Sequence, residues 1–197
     1  QEARLGNLYT QEAFQLCKRL EFKNLLSRFE NVSAEEETLE ENFFTCEDLA
    51  GAESIFEKAA SCGHVGIDLL MDDEDVYGLG IALTKEEIYY IPSEGLITGE
   101  YLCGKVQDLA ETVILCAMDI KALLKHVRIS DASRIFDTGI GVYLLNPLKS
   151  SYSYDDVARE YLDGSIFPSR EDLLGKTSFR KAWEESREGL FRYACYV

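Results

Sequence analysis

The sequence has little of what would tie it to a membrane, an export route or a bare phosphate backbone. Only 20 Lys+Arg stand against 36 Asp+Glu, a formal net charge of −16. The mean field therefore repels phosphate and anionic lipid, and non-specific DNA binding by the chain alone is expected to be weak or absent. Acidity demotes nucleic acid as a partner without excluding it, because bound cations invert a local potential. No apolar run approaches the roughly 18 residues a membrane span needs. Histidine is scarce, with His64 and His126 only, and both sit at the edges of elements. The six cysteines, at positions 17, 46, 62, 103, 116 and 195, form no CxxC pair and no metal-like cluster with the histidines. They are expected to be reduced, mostly buried thiols of a cytoplasmic protein. Gly78 and Gly80 lead into no phosphate-cradling pattern, so they read as close packing or a bulge. The chain opens on Gln1 without methionine, as a fragment would.

What is present suffices for one well-covered core: 197 residues, 46% of them hydrophobic. From Tyr9 to Phe29 apolar residues recur at helical spacing, with Thr10 placed to cap QEAF. The acidic stretch NVSAEEETLEEN (31–42) reads as a solvated linker and marks a boundary, with residues 1–32 before it and a domain over 33–197. TCEDLAGAESIFEKAA predicts a helix that starts from a capping box at Thr45. HVGIDLL, VYGLGIAL and EIYYIP predict three strands in an antiparallel meander. The second half alternates: GEYLCGKVQDLAE a helix, TVILCA a fully buried strand, DIKALLKH a helix, and FDTGIGVYLL another helix with Asp137 near its start as a cap. Ser153 and Asp156 cap SYDDVAREYL, and TSFRKAWEESREGLFRYACYV predicts one long closing helix. Three antiparallel strands followed by βα units, flanked by helices, predict an α/β mixed sheet.

Asp68 poses the chemical question. It lies in a run that otherwise asks to be buried, followed directly by Leu69 and Leu70, and a carboxylate there is costly unless it holds a metal, meets a cation or reaches water. If Asp68 is buried, Lys121 is the candidate counter-ion.

LEFKNLLSRF (20–29), VGIDLL with GIAL and YYIP, IFDTGIGVYLLNP (135–147), YDDVAREYLDG (154–164), SREDLLGK (169–176) and RYACYV (192–197) occur in series. Together they resemble the 3′-5′ exonuclease-type domain of bacterial DNA polymerase I, and residues 1–32 look like the end of the linker from a preceding 5′ nuclease. The resemblance implies an RNase H-like fold with a mixed five-stranded sheet beside a polymerase domain. It also implies, for active relatives, two Mg2+-type cations that activate a water and stabilise the leaving oxygen. Such chemistry needs several carboxylates converging within about 4 Å of the ion pair.

At the positions matching the family's acids this chain keeps one. Asp68 is present, but Leu70 stands where the same-face glutamate is expected. The second acid falls on Ile120 or, with Lys121 as anchor, on Leu123. Asp119 is about 100° round the helix from Ile120. Tyr193 is kept, and Val197 stands in the last acid's place. A lone carboxylate is a poor ligand for a divalent cation. The resemblance then implies an exonuclease-like domain without nuclease activity or metal, acting as a structural module beside the polymerase domain and reaching DNA through the parent enzyme. The alternative is an active exonuclease with relocated ligands, drawn from Asp68, Asp119 and the cluster Asp72, Asp73, Glu74 and Asp75. That cluster reads more simply as a solvated hairpin loop, since consecutive acids point in different directions. A third possibility makes residues 35–41 an acidic surface for a basic partner.

Overall fold

Period-two alternation of apolar side chains in HVGIDLL builds the central strand of a six-stranded sheet. The structure, a computed structural model, describes residues 39–46, 48–72, 75–161 and 168–197, together with residues 10, 13, 16, 17 and 22. The chain divides into two units, Gln1–Thr38 and Leu39–Val197. In the first, the Ala13 N–H donates to Thr10 Oγ1 at 3.2 Å, the cap expected from the sequence. Most of segment 20–29, the acidic run 31–38, and Asp73 and Glu74 lie outside the described residues.

In the second unit the elements are β1 (Phe43–Thr45), α1 (Leu49–Ala60), β2 (His64–Met71), β3 (Val76–Ala82), β4 (Ile88–Pro92), α2 (Gly99–Leu109), β5 (Ile114–Ala117) and α3 (Ile120–Leu123). They are followed by β6 (Ile135–Asp137), α4 (Thr138–Leu145), α5 (Tyr154–Tyr161), α6 (Arg170–Leu174), α7 (Phe179–Glu185) and α8 (Arg187–Cys195). The strand order is β1-β4-β3-β2-β5-β6. β3 runs antiparallel to β2 and β4, and the remaining neighbours pair in parallel. This is the expected α/β mixed sheet flanked by helices.

Several details depart from the sequence expectations. The sheet has six strands, not five, because the three-residue strands β1 and β6 close its two edges, and runs that short carry no readable alternation. The FD of FDTGIGVYLL ends β6, and Asp137 caps α4, its Oδ1 accepting from the Ile140 N–H at 2.9 Å. β5 is not buried throughout, since Ile114 is exposed. α1 is capped by Asp48 rather than Thr45, its Oδ1 accepting from the Gly51 N–H at 2.7 Å. DIKALLKH forms a single helical turn. The closing helix is broken at Ser186 into α7 and α8, where the close approach of the Leu173 carbonyl at Gly189 seats α6 against α8. No helix among the described residues is long and apolar enough to cross a membrane.

Two apolar clusters hold these layers, each fully buried large side chain contributing on the order of 1.5–3 kcal/mol. The first packs Ile67, Leu69, Leu79 and Ile81 against Phe56 of α1 and Leu102 and Val106 of α2. The second packs Leu70, Tyr77 and Tyr90 against Ala182 of α7 and Leu190 and Ala194 of α8. All six cysteines are thiols, and burial pushes that of Cys195 up to about 12.

Candidate functional site

Asp68 stands in register with Gly80 on the neighbouring strand β3. A Cβ at Gly80 would lie 2.1 Å from the Ala194 carbonyl oxygen, so only glycine lets the α8 backbone come down onto the sheet there. That approach sets Tyr193 beside Asp68. Leu70 is buried within the second cluster, against α8. The glycines of VYGLGIAL thus mark close packing, as their sequence context suggested. At Gly78 the crowding comes from the Tyr90 ring.

The cation that meets Asp68 is Arg170, 102 residues away in sequence, not Lys121. Ser169 caps α6 in a reciprocal box with Asp172, which fixes the first turn and with it the Arg170 backbone. The Arg170 N–H also donates to Asp155 Oδ1 at 3.1 Å, tying α6 to the start of α5. From that anchor Nη2 donates to Asp68 Oδ2 at 2.5 Å and Nη1 to Tyr193 Oη at 2.6 Å. The guanidinium lies between two rings, 4.2 Å from the Tyr154 centroid and 4.5 Å from that of Tyr193. Tyr154 is itself held by a bond from its hydroxyl to the Tyr196 carbonyl. The Asp68 and Arg170 side chains are 26% and 24% exposed, so the pair sits in a site of reduced but not negligible solvent access. Lys121 carries an exposed side chain on α3 and has no part in it.

The electrostatics follow from this enclosure. Burial opposes the charge on Arg170, but Asp68 and the two tyrosines more than offset it, and the guanidinium is held above its ordinary value. Burial raises both tyrosines against the pull of the cation, Tyr154 to about 12. The arrangement is a neutralised ion pair with aromatic walls. Its one unmet group is Arg170 Nε, buried without a hydrogen-bond partner among the described residues.

A divalent cation asks for several oxygen donors, and here the donor set does not fit one. The single acid on β2 already faces a guanidinium, and the residue two places on is a buried leucine. Among the described residues no three His, Cys, Asp or Glu side chains come together as a metal site. Asp68, Leu70, Tyr193 and Val197 share the α8 side of the sheet, with Val197 packed in the second cluster near Gly66. Ile120 and Leu123 do not join them, both being buried in the first cluster.

The remaining acids have other work. Asp119 is exposed and caps α3, its Oδ1 accepting from the Ala122 N–H at 3.0 Å. Asp137 caps α4 and also accepts from the Ile120 N–H at 3.1 Å. Asp72 Oδ2 accepts from the Arg180 N–H at 3.2 Å. A cavity of about 320 Å³ opens beside Arg170 and Tyr193, walled by Leu174, Lys176 and Phe179, with Glu171 as its acid. A larger one of about 720 Å³ lies between Tyr90, Leu96 and Phe191, on the β1 side of the sheet.

The sequence reading missed Arg170 and Tyr154. One signal was available. In SREDLLGK the arginine occupies the first turn of a helix, where the macrodipole disfavours a cation, so a tertiary partner was implied.

The mixed sheet, its strand order and its flanking helices define an RNase H-like fold. Among solved structures the chain is similar to the catalytic core of RRP6 from Trypanosoma brucei, at 12% identity and a TM-score of 0.54 over 78% of this chain and 45% of that one. It is similar to Escherichia coli RNase D, an exoribonuclease involved in structured RNA processing, at 12% identity and a TM-score of 0.56 over 77% and 40%. Trypanosoma brucei RNase D, solved with GMP, gives 10% identity and a TM-score of 0.58 over 80% and 54%. The chain spans about half or less of these structures' own length. The sequence matches no family model and no curated protein.

Proposed function

We propose that this chain is the 3′-5′ exonuclease-like domain of a bacterial DNA polymerase I, without exonuclease activity, and that it serves as a structural module beside the polymerase domain in DNA replication and repair. The observation that carries the proposal is the Arg170 guanidinium bonded to Asp68, the one acid kept at the positions matching the family's ligands. A cation fixed on that carboxylate repels a second cation and occupies the Oδ2 oxygen a metal would need. The series of motifs from IFDTGIGVYLLNP to RYACYV supports the polymerase I context, and the net charge of −16 supports DNA contact through the parent enzyme rather than through this domain. The parent would act in the cytoplasm, and Mg2+ would belong to its polymerase domain and to active relatives.

The test is hydrolysis of end-labelled, 3′-tailed DNA, with a matching RNA arm, in Mg2+ or Mn2+. The proposal expects no cleavage that Asp68→Ala removes. Cleavage abolished by that substitution overturns it and favours the active alternative with relocated ligands.

A further inference from the structure

Acidic side chains outnumber basic ones by 36 to 20, yet one part of the surface collects cations that no acid meets. Elsewhere in the second unit lysines and arginines are matched with carboxylates, as in Lys58 with Glu87, Lys105 with Glu53, Arg187 with Glu94 and Arg192 with Glu40. Lys121, Lys125 and Arg128 have no ion-pair partner among the described residues, and all three are exposed. The acids nearest them in the chain are turned elsewhere. Asp119 Oδ1 accepts from the Ala122 N–H, Asp131 holds Ser133 and Arg134, and Asp137 takes the N–H groups of Ile120 and Ile140.

The cations are also aligned. The backbone stays helical beyond α3, the Leu124 N–H donating to the Ile120 carbonyl at 2.9 Å and the Val127 N–H to the Leu123 carbonyl at 3.1 Å. Ile120, Leu123 and Val127 turn inward to the first cluster, which leaves Lys121, Leu124 and Lys125, spaced three and four apart, on the outward face, with Arg128 directly beyond the turn. Like charges four apart on a helix repel, so Lys121 and Lys125 carry a standing cost that a bound anion removes. On the same face Leu124 is 44% exposed.

We propose that the ridge of Lys121, Leu124, Lys125 and Arg128 is a docking site for an acidic protein segment, whose carboxylates meet the three cations while an aliphatic side chain among them covers Leu124. Two observations favour such a segment over nucleic acid. Duplex DNA brings about one charge per 1.7 Å towards a chain of net charge −16, far more than three cations offset, whereas a short acidic segment brings only a few. Leu124 offers an aliphatic contact that a phosphate backbone does not use. Because this turn packs on the first cluster and Asp68 faces α8, docking here does not depend on whether the domain cleaves DNA.

Amide chemical-shift mapping of the whole chain by NMR, titrated at low salt with a capped peptide of eight glutamates around a central leucine, tests the proposal. Shift changes are expected to centre on residues 119–129, with a dissociation constant of about 0.1–3 mM because exposed ion pairs are individually weak. Lys121→Glu combined with Lys125→Glu is expected to weaken binding at least about tenfold, and Leu124→Ser about threefold, both with circular dichroism melts like that of the parent chain. An oligothymidylate of equal charge provides the nucleic-acid arm and is expected to bind more weakly. No binding up to about 10 mM peptide, shifts centred elsewhere, indifference to the double charge reversal, or tighter binding of the oligothymidylate at these residues each overturns the proposal.

Discussion

Replacing Arg170 with methionine keeps most of the stem's volume while removing the charge, and it isolates what the guanidinium contributes. The substitution leaves Asp68 as an uncompensated carboxylate against β2, deprives Tyr193 Oη of a donor at 2.6 Å, and removes the cation from between two rings. Breaking a fully buried pair costs about 3–5 kcal/mol. Because the two side chains here are 24% and 26% exposed, water partly stabilises the bared acid, and the lower end applies. Each cation–π contact adds about 0.5–1 kcal/mol, partly replaced by methionine–ring packing. The expected loss is about 3 kcal/mol, which for a domain of this size lowers Tm by about 10 °C. Urea unfolding followed by circular dichroism measures the loss, with Asp68→Ala and the double variant closing a thermodynamic cycle. The double variant should cost about 1.5–2 kcal/mol less than the two single losses together, since each single change strands the other partner. A loss below about 0.5 kcal/mol for Arg170→Met, or strict additivity in the cycle, refutes the claim that this ion pair organises the site.

Two further perturbations probe the same architecture. Gly80→Ala would place a methyl 2.1 Å from the Ala194 carbonyl oxygen, forcing α8 off the sheet at a cost of about 3 kcal/mol or more. Gly104→Ala, in α2 with nothing within 4 Å of its new Cβ, should stabilise by about 0.5–1 kcal/mol; urea midpoints of the two variants moving the same way would contradict the packing described. Alkaline titration tests the burial of the tyrosines. Burial holds Tyr154 and Tyr196 up to about 12, so their contribution to stability is complete below about pH 10 and is lost as the pH rises towards 12. Tyrosinate absorbance should therefore develop in two stages, the later one coincident with unfolding, and a single stage near pH 10 would show these hydroxyls to be solvated.

The sequence makes the fold legible where periodicity is long. β2, β3 and β4 each run five residues or more with β-branched or aromatic side chains, and their limits follow the expected runs closely. It fails where an element depends on its neighbours. β1 and β6 have three residues each, too few to declare an alternation, and are strands only because β4 and β5 offer them an edge. The break at Ser186 is likewise tertiary. An unbroken apolar face from Phe179 to Tyr193 would suit a straight helix, but α6 requires the Leu173 carbonyl to approach Gly189.

The site divides the same way. That Leu70 and Val197 are apolar is a local fact, visible without coordinates. Where Ile120 and Leu123 point is not, and the structure turns both into the core on the other side of the sheet from Leu70. The partner of Asp68 was harder still. Lys121 stays exposed on α3, and position in the chain says nothing about which side of a sheet a side chain reaches. Arg170 arrives across 102 residues because three local devices coincide: the capping box at Ser169, the bond from its own N–H to Asp155, and the glycine that admits α8. A planar guanidinium can bond a carboxylate and a phenol at once while stacking on rings. A lysine ammonium at position 170 could not fill that slot. Asp68 is the lone acid on β2 and is followed by two apolar side chains, so it needs a fixed counter-charge, and the folded chain supplies it from α6.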